Sequence, residues 1–177
     1  MKNRAVGVRW ALAAACLLVL AAAAWSVWQF ERVLRQGQTV LLELAPVDPR
    51  SLMQGDYMAL RYALETHLEP SGQSVLQELP RFAYLQLDAQ NRASWAGGGA
   101  DARLSAQAVS SPRVVSVRIR PGRWGARLGP NAFFFQEGTA QQYEKARWGE
   151  FKVAPDGRAL LVALRDANLN LLGANRF

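Results

Sequence analysis

From Trp10 to Phe30 the chain runs 21 residues without a charged side chain, rich in Ala, Leu and Val. At about 1.5 Å per residue, a helix of that length crosses the roughly 30 Å hydrocarbon layer of a bilayer. Beyond it the pattern changes. Gly37 stops the helix, and from Thr39 onward the apolar residues come in short runs bounded by Gly, Pro, Asp and Asn, the punctuation of strands and turns. Residues 39–44 predict a strand closed by Pro46. From Tyr57 to Tyr62 apolar and polar positions alternate, with Tyr57, Ala59 and Arg61 on one face and Met58, Leu60 and Tyr62 on the other, the period of a half-buried strand. Residues 82–87 predict another strand, turned by residues 88–92 into a hairpin with residues 93–95. Residues 114–120 alternate with their arginines outward and break at Pro121 and Gly122, with a hairpin partner over residues 124–128. The unbroken aromatic run in residues 132–135 predicts a buried strand. Residues 151–154 and 159–164 make a hairpin across Pro155, Asp156 and Gly157, and residues 169–172 a weak last strand.

Helical signals outside the first segment are few. Thr139 followed by Gln142 has the spacing of a capping box, which predicts one short helix over residues 140–147. Residues 65–80 predict a loop with a helical turn at 74–79, and Gly97, Gly98 and Gly99, with no side chains to bury, predict a loop tip that could also form a backbone nest for an anion. The fold class is therefore mainly β: a single N-terminal transmembrane helix followed by a small antiparallel β-rich domain with one short helix. The expected organisation is a cytoplasmic tail over residues 1–9, an anchor over 10–30 in contact with the lipid bilayer, a juxtamembrane linker over 31–37 and an extracytoplasmic domain over 38–177.

Charge sets the orientation. Of the net +7, Lys2, Arg4 and Arg9 contribute +3 before the apolar segment, leaving a mild +4 for the remainder. The positive-inside rule then places the N-terminus in the cytoplasm, with Trp10, Trp25 and Trp28 at the depths of the interfacial aromatic belts. A cleaved secretory signal ending at Ala22, Ala23 and Ala24 is the alternative, and a lipoprotein reading through Cys16 a weaker one. With one cysteine no intrachain disulfide can form. The remaining basic residues are mixed with acids rather than gathered on an aromatic stripe, which argues against a nucleic-acid partner.

Residues 55–62 read Gly-Asp-Tyr-Met-Ala-Leu-Arg-Tyr. Gly55 and Asp56 predict a tight turn that feeds the strand at once. Gly55, Asp56, Tyr57, Leu60 and Tyr62 match, position for position, the signature of the GDYXXLXY family of bacterial membrane-anchored proteins, which this chain resembles. The resemblance continues in the lead-in over residues 46–52, in Phe133 to Gly138 with Glu137, in Tyr143 to Ala146, and in Asp156 to Ala159, and covers roughly residues 38–165. It implies an inner-membrane anchor, a small extracytoplasmic domain and an association with a multi-spanning membrane protein. It carries no activity with it.

The residues offer little catalytic chemistry. His67 is the only histidine, and the chain has no zinc-ligand cluster, phosphate loop or dinucleotide fingerprint, so no metal and no cofactor are expected. The spacing from Ser51 to Gly55 and Asp56 is similar to the first active-site box of bacterial signal peptidases, but Val47 stands where the attacking serine would be, and no spacing argument brings Lys145 or Lys152 to Ser51. Asp56 with Glu137 could be written as a glycosidase pair. The more economical expectation is structural: Asp56 caps its turn, Glu137 pairs with Arg61 or Arg120, and Tyr57, Tyr62 and Tyr143 pack in the core. A membrane-tethered interaction module is thus the leading expectation, with an enzyme not expected. A hydrolase, or a glycan- or lipid-binding domain using Trp95, Trp124 and Trp148, stands as the alternative. The small residues Ala11, Ala13, Ala14, Ala15 and Ala21 to Ala24, with Gly7, suit the anchor to close helix packing.

Overall fold

The computed structural model describes residues 2–45, 53–54, 57–68, 80–102, 113–122 and 125–175. Two units are present, Met1–Arg35 and Gln36–Phe177.

The first unit is helix α1, Lys2–Gln36, which ends beside Gly37. Every side chain from Leu12 to Trp28 is exposed, and the stretch Leu12–Gln36 is long and apolar enough to cross a membrane. Its last turns become polar. Glu31 and Arg35, one turn apart, form an exposed ion pair at 2.7 Å, and the Arg32 guanidinium lies 5.6 Å from the centre of the Trp28 ring.

The second unit is built from antiparallel strands. The largest sheet has the order β1 (Gln38–Glu43), β10 (Trp148–Val153), β11 (Ala159–Arg165), β12 (Leu171–Ala174). Strand β10 alternates as its sequence demands, burying Gly149, Phe151 and Val153. Strand β1 does not alternate: Val40, Leu41 and Leu42 are all buried, because Leu41, on the outer face, is covered by a bridge to Arg92 in which its amide donates to the Asn91 carbonyl at 2.8 Å. A bulge between Glu150 and Phe151 leaves Val162 unpaired against β10, and the Asn175 amide uses its carbonyl instead at 2.8 Å.

A second sheet, ordered β5 (Ala93–Gly99), β4 (Phe82–Leu87), β6 (Val114–Arg118), puts β4 in the centre, and five of its six residues are buried. Here three expectations are corrected. Gly97, Gly98 and Gly99 are not a loop tip or nest; they are paired strand residues opposite Tyr84, Ala83 and Phe82. Their lack of side chains is what makes this pairing possible, since a Cβ at Gly98 would lie 2.7 Å from the Pro80 ring and one at Gly99 would strike the Tyr84 phenol. Residues 114–120 are one run only to Arg118: the chain breaks at Ile119, whose amide turns to the Arg81 carbonyl at 2.9 Å, and Pro121 and Gly122 belong to the next strand, β7 (Arg120–Gly122), paired with β8 (Gly125–Arg127). The stretch from residue 65 is not wholly loop, because Ala63–Leu68 forms a 3-10 helix; its expected helical turn at 74–79 lies outside the described residues.

The third sheet, ordered β2 (Met53–Gln54), β3 (Tyr57–Ala59), β9 (Ala132–Phe134), carries Tyr57 of the signature, and Leu60 and Tyr62 follow just after β3. Strand β9 is not buried throughout. Phe133 is 1% exposed and Phe134 is 70% exposed, so the aromatic run alternates about an edge strand. The short helix α2 covers Ala140–Tyr143 rather than residues 140–147, and Thr139 makes no side-chain cap: its Oγ1 donates back to the Gln136 carbonyl at 2.6 Å, while the Gln142 side-chain amide donates to the Leu172 carbonyl. The capping residues are thus used to tie the helix to β12 and to its own entry turn. The last strand begins at Leu171, since Leu169 has a φ of 67° in the turn before it.

Candidate functional site

The signature strand is held from two sides. The Leu60 amide donates to the Asn131 carbonyl at 2.8 Å, and Leu44 of the segment after β1 bridges Tyr62. The alternation expected from the sequence is present through the whole run: Met58, Leu60 and Tyr62 are buried, Tyr57 and Ala59 are half-buried and Arg61 is exposed. Leu60 and Tyr62 enter the core with Val40, Leu42, Phe133 and Phe151.

Tyr62 is 2% exposed and its hydroxyl donates to the Pro130 carbonyl at 2.9 Å, so its one polar atom is satisfied inside the core. Its ring meets Phe151 edge-on at 5.5 Å. The two rings need room that only glycine leaves. A Cβ at Gly129 would lie 2.7 Å from Phe151 and 3.0 Å from Tyr62, and one at Gly149 would lie 3.2 Å from both Phe151 and Leu161. Burial, reinforced by the Glu65 carboxylate and opposed by Arg127, pushes the Tyr62 phenol above its ordinary value.

Glu65 is a residue that sequence reasoning missed. One carboxylate oxygen accepts from the Leu128 amide at 2.9 Å and the other from the Tyr62 amide at 3.4 Å, so it ties the 3-10 helix to both the signature strand and the segment after β8. Its position three residues after Tyr62 is the only sequence signal of this. Gly129, Gly149 and Phe151 were also missed, although a glycine inside the alternating strand β10 is a mark of close approach.

On the outer side of the same sheet, Tyr57 faces Phe134 across the β3–β9 pair with ring centroids 5.9 Å apart. Tyr143 is buried, and stacks on Phe135 at 5.0 Å and tilts against Phe133 at 5.3 Å. The structure thus brings together Tyr57, Leu60 and Tyr62 with the second group around Phe133 and Tyr143. Tyr57 is the one tyrosine of the three that is not a core residue. Glu137 and Gly138 sit exposed in the turn after β9, Gly138 with a φ of 82° that favours glycine. The expected ion pair from Glu137 to Arg61 or Arg120 is not formed among the described residues, because Glu137 stands in solvent where nothing draws it to a strand. Gly55 and Asp56, with Ser51 and Val47 of the hydrolase comparison and Trp124, lie outside the described residues.

The remaining polar candidates are engaged in local structure. His67 is exposed in the 3-10 helix and stacks on Trp95 at 5.3 Å, nearly parallel. Lys152 donates to Thr39 Oγ1 at 2.8 Å across β1 and β10, and Trp148 lies 6.0 Å beneath the Arg92 guanidinium. Trp95 and Trp148 are both half-buried. Among the described residues no group of three His, Cys, Asp or Glu side chains could hold a metal ion.

The family model described as GDYXXLXY protein matches residues 19–164. The chain belongs to the GDYXXLXY family. No curated protein and no solved structure matches it. In this member of the GDYXXLXY family the described signature letters divide by side: Leu60 and Tyr62 build the core, and Tyr57 forms half of an outward aromatic pair.

Proposed function

We propose that the chain is a bitopic inner-membrane protein, its N-terminus cytoplasmic, whose β domain acts on the far side as a non-catalytic accessory to a multi-spanning membrane protein. The observation that carries this reading is α1, whose apolar side chains from Leu12 to Trp28 are all exposed. An uncovered apolar surface of that length is stable in lipid or against other apolar helices, and not in water. The basic residues Lys2, Arg4 and Arg9 before it support the orientation, and its alanines support close packing by a neighbouring helix.

Two experiments test it. A periplasm-active reporter fused after Phe177 should be active, and a cytoplasm-active one silent; the reverse pattern sinks the topology. Affinity purification of the full chain in mild detergent should bring down a multi-spanning protein in fixed stoichiometry, and recovery of the chain alone would remove the accessory role.

A further inference from the structure

Between Asp101 and Glu137 the chain runs 35 residues with six arginines and no Asp, Glu or Lys. From Trp10 onward the rest of the chain holds 12 basic residues against 14 acidic ones, so the positive excess outside the N-terminal tail comes entirely from this stretch. Three of the six, Arg118, Arg120 and Arg127, fall together on described strands, while Arg113 precedes β6 and donates to the Asp88 carbonyl at 3.1 Å. The segment forms β6 and the separate two-stranded hairpin of β7 and β8, in which Arg120 stands directly opposite Arg127. Like charges at opposed positions of an antiparallel pair destabilise it. Arg118 precedes the pair on β6, and the Arg81 backbone is tied beside it through the Ile119 amide.

Two acids of the domain are bonded locally. Asp156 is paired with Arg158 at 2.7 Å, and both oxygens of Glu65 accept from backbone amides. Among the described residues no carboxylate lies within ion-pair distance of Arg81, Arg118, Arg120 or Arg127. The glycine at position 122 also matters: a Cβ there would lie 3.1 Å from the Arg127 Nε, so that guanidinium runs along the hairpin where a side chain would have displaced it. Arg120, Pro121 and Gly122 are all exposed. A surface with Arg120 and Arg127 at opposed positions, and no carboxylate in ion-pair distance of either among the described residues, offers the guanidinium donors that phosphate oxygens take in pairs.

We propose that the β7–β8 hairpin is a phosphate-binding site, in which Arg120 and Arg127 donate to one phosphate group and Arg118 and Arg81 supply the surrounding field. The ligand relieves the cross-strand repulsion, so binding orders the hairpin. Its source is either a lipid headgroup or free phosphate, and the site's chemistry is common to both.

The test uses the full chain in uncharged maltoside micelles at low salt, titrated in parallel with dioleoylphosphatidylglycerol and with inorganic phosphate, and read by hydrogen exchange of peptides spanning 113–127. At least one titrant should slow exchange across the hairpin several-fold, and high salt should reverse it. Slowing by the lipid alone identifies a headgroup, and slowing by phosphate identifies the free anion. The Arg120→Gln/Arg127→Gln variant should need at least tenfold more titrant while its thermal midpoint stays level or rises, since the repulsion is gone. Arg61→Gln, an exposed arginine on the signature strand, should bind as the parent does. No slowing by either titrant overturns the site, as does an equal loss in Arg61→Gln.

Discussion

Tyr57 and Tyr62 are five residues apart in one signature, yet they live in different solvents. Tyr62 is closed in by Phe151, Gly129 and Gly149 with its hydroxyl matched to a carbonyl, whereas Tyr57 is half-buried on the opposite side of the strand beside Phe134, which is 70% exposed. A strand with one side in the core and the other toward water requires this division. Two letters of one motif can therefore serve different ends. The inner side is held by packing that any change of volume disturbs, and the outer side turns the Tyr57–Phe134 pair toward water.

The comparison can be broken most directly at Tyr62. Tyr62→Ala should cost about 3–5 kcal/mol, the range for emptying a buried aromatic site, measured by denaturant unfolding, and a loss under about 1 kcal/mol would show that the inner side is not the keystone. Gly129→Ala should cost about 1–3 kcal/mol by forcing a methyl between Tyr62 and Phe151, and Gly129→Ala with Phe151→Leu should recover part of it. Tyr62→Phe, which keeps the ring and strands the Pro130 carbonyl, should cost about 1 kcal/mol near neutral pH. The same variant sharpens the pH dependence. Because burial raises the folded phenol above its unfolded value, the stabilisation it lends is complete below about pH 10 and is lost as pH climbs beyond that. Unfolding at pH 9 and pH 11 should therefore show a steeper loss in the parent than in Tyr62→Phe. Smallest of all, Phe134→Ser should change stability by no more than about 0.5 kcal/mol; if it instead weakens recovery of a membrane partner at unchanged stability, the outer side is the working surface.

Where the sequence could be read, one physical signal dominated. The alternation from Tyr57 to Tyr62, the strands at 82–87 and 159–164, the strand at 151–154 that in fact begins at Trp148, and the long apolar helix were legible because burial on one face, or on all of them, leaves a period in the residues themselves. What escaped depends on partners distant in sequence. Nothing local tells that Gly97 to Gly99 are paired, because the reason is Pro80 and Tyr84 pressing on them. Nothing local tells that Phe134 faces out, because three consecutive phenylalanines hide the period of an edge strand. Thr139 and Gln142 had cap spacing, but the Leu172 carbonyl competed for Gln142 and won. At the candidate site, the tyrosines were legible as core-directed in two cases of three, while Glu65 was not, since its amide partner Leu128 lies 63 residues away.

The contact between Gly99 and Tyr84 reaches past stability into heredity. The phenol lies across the bare backbone of Gly99 to reach the Asp101 carbonyl at 2.9 Å, so neither position can drift alone. Descendants that acquire a side chain at 99 should do so only in lineages that have already given up the large ring at 84, which would make the two columns covary across any set of relatives.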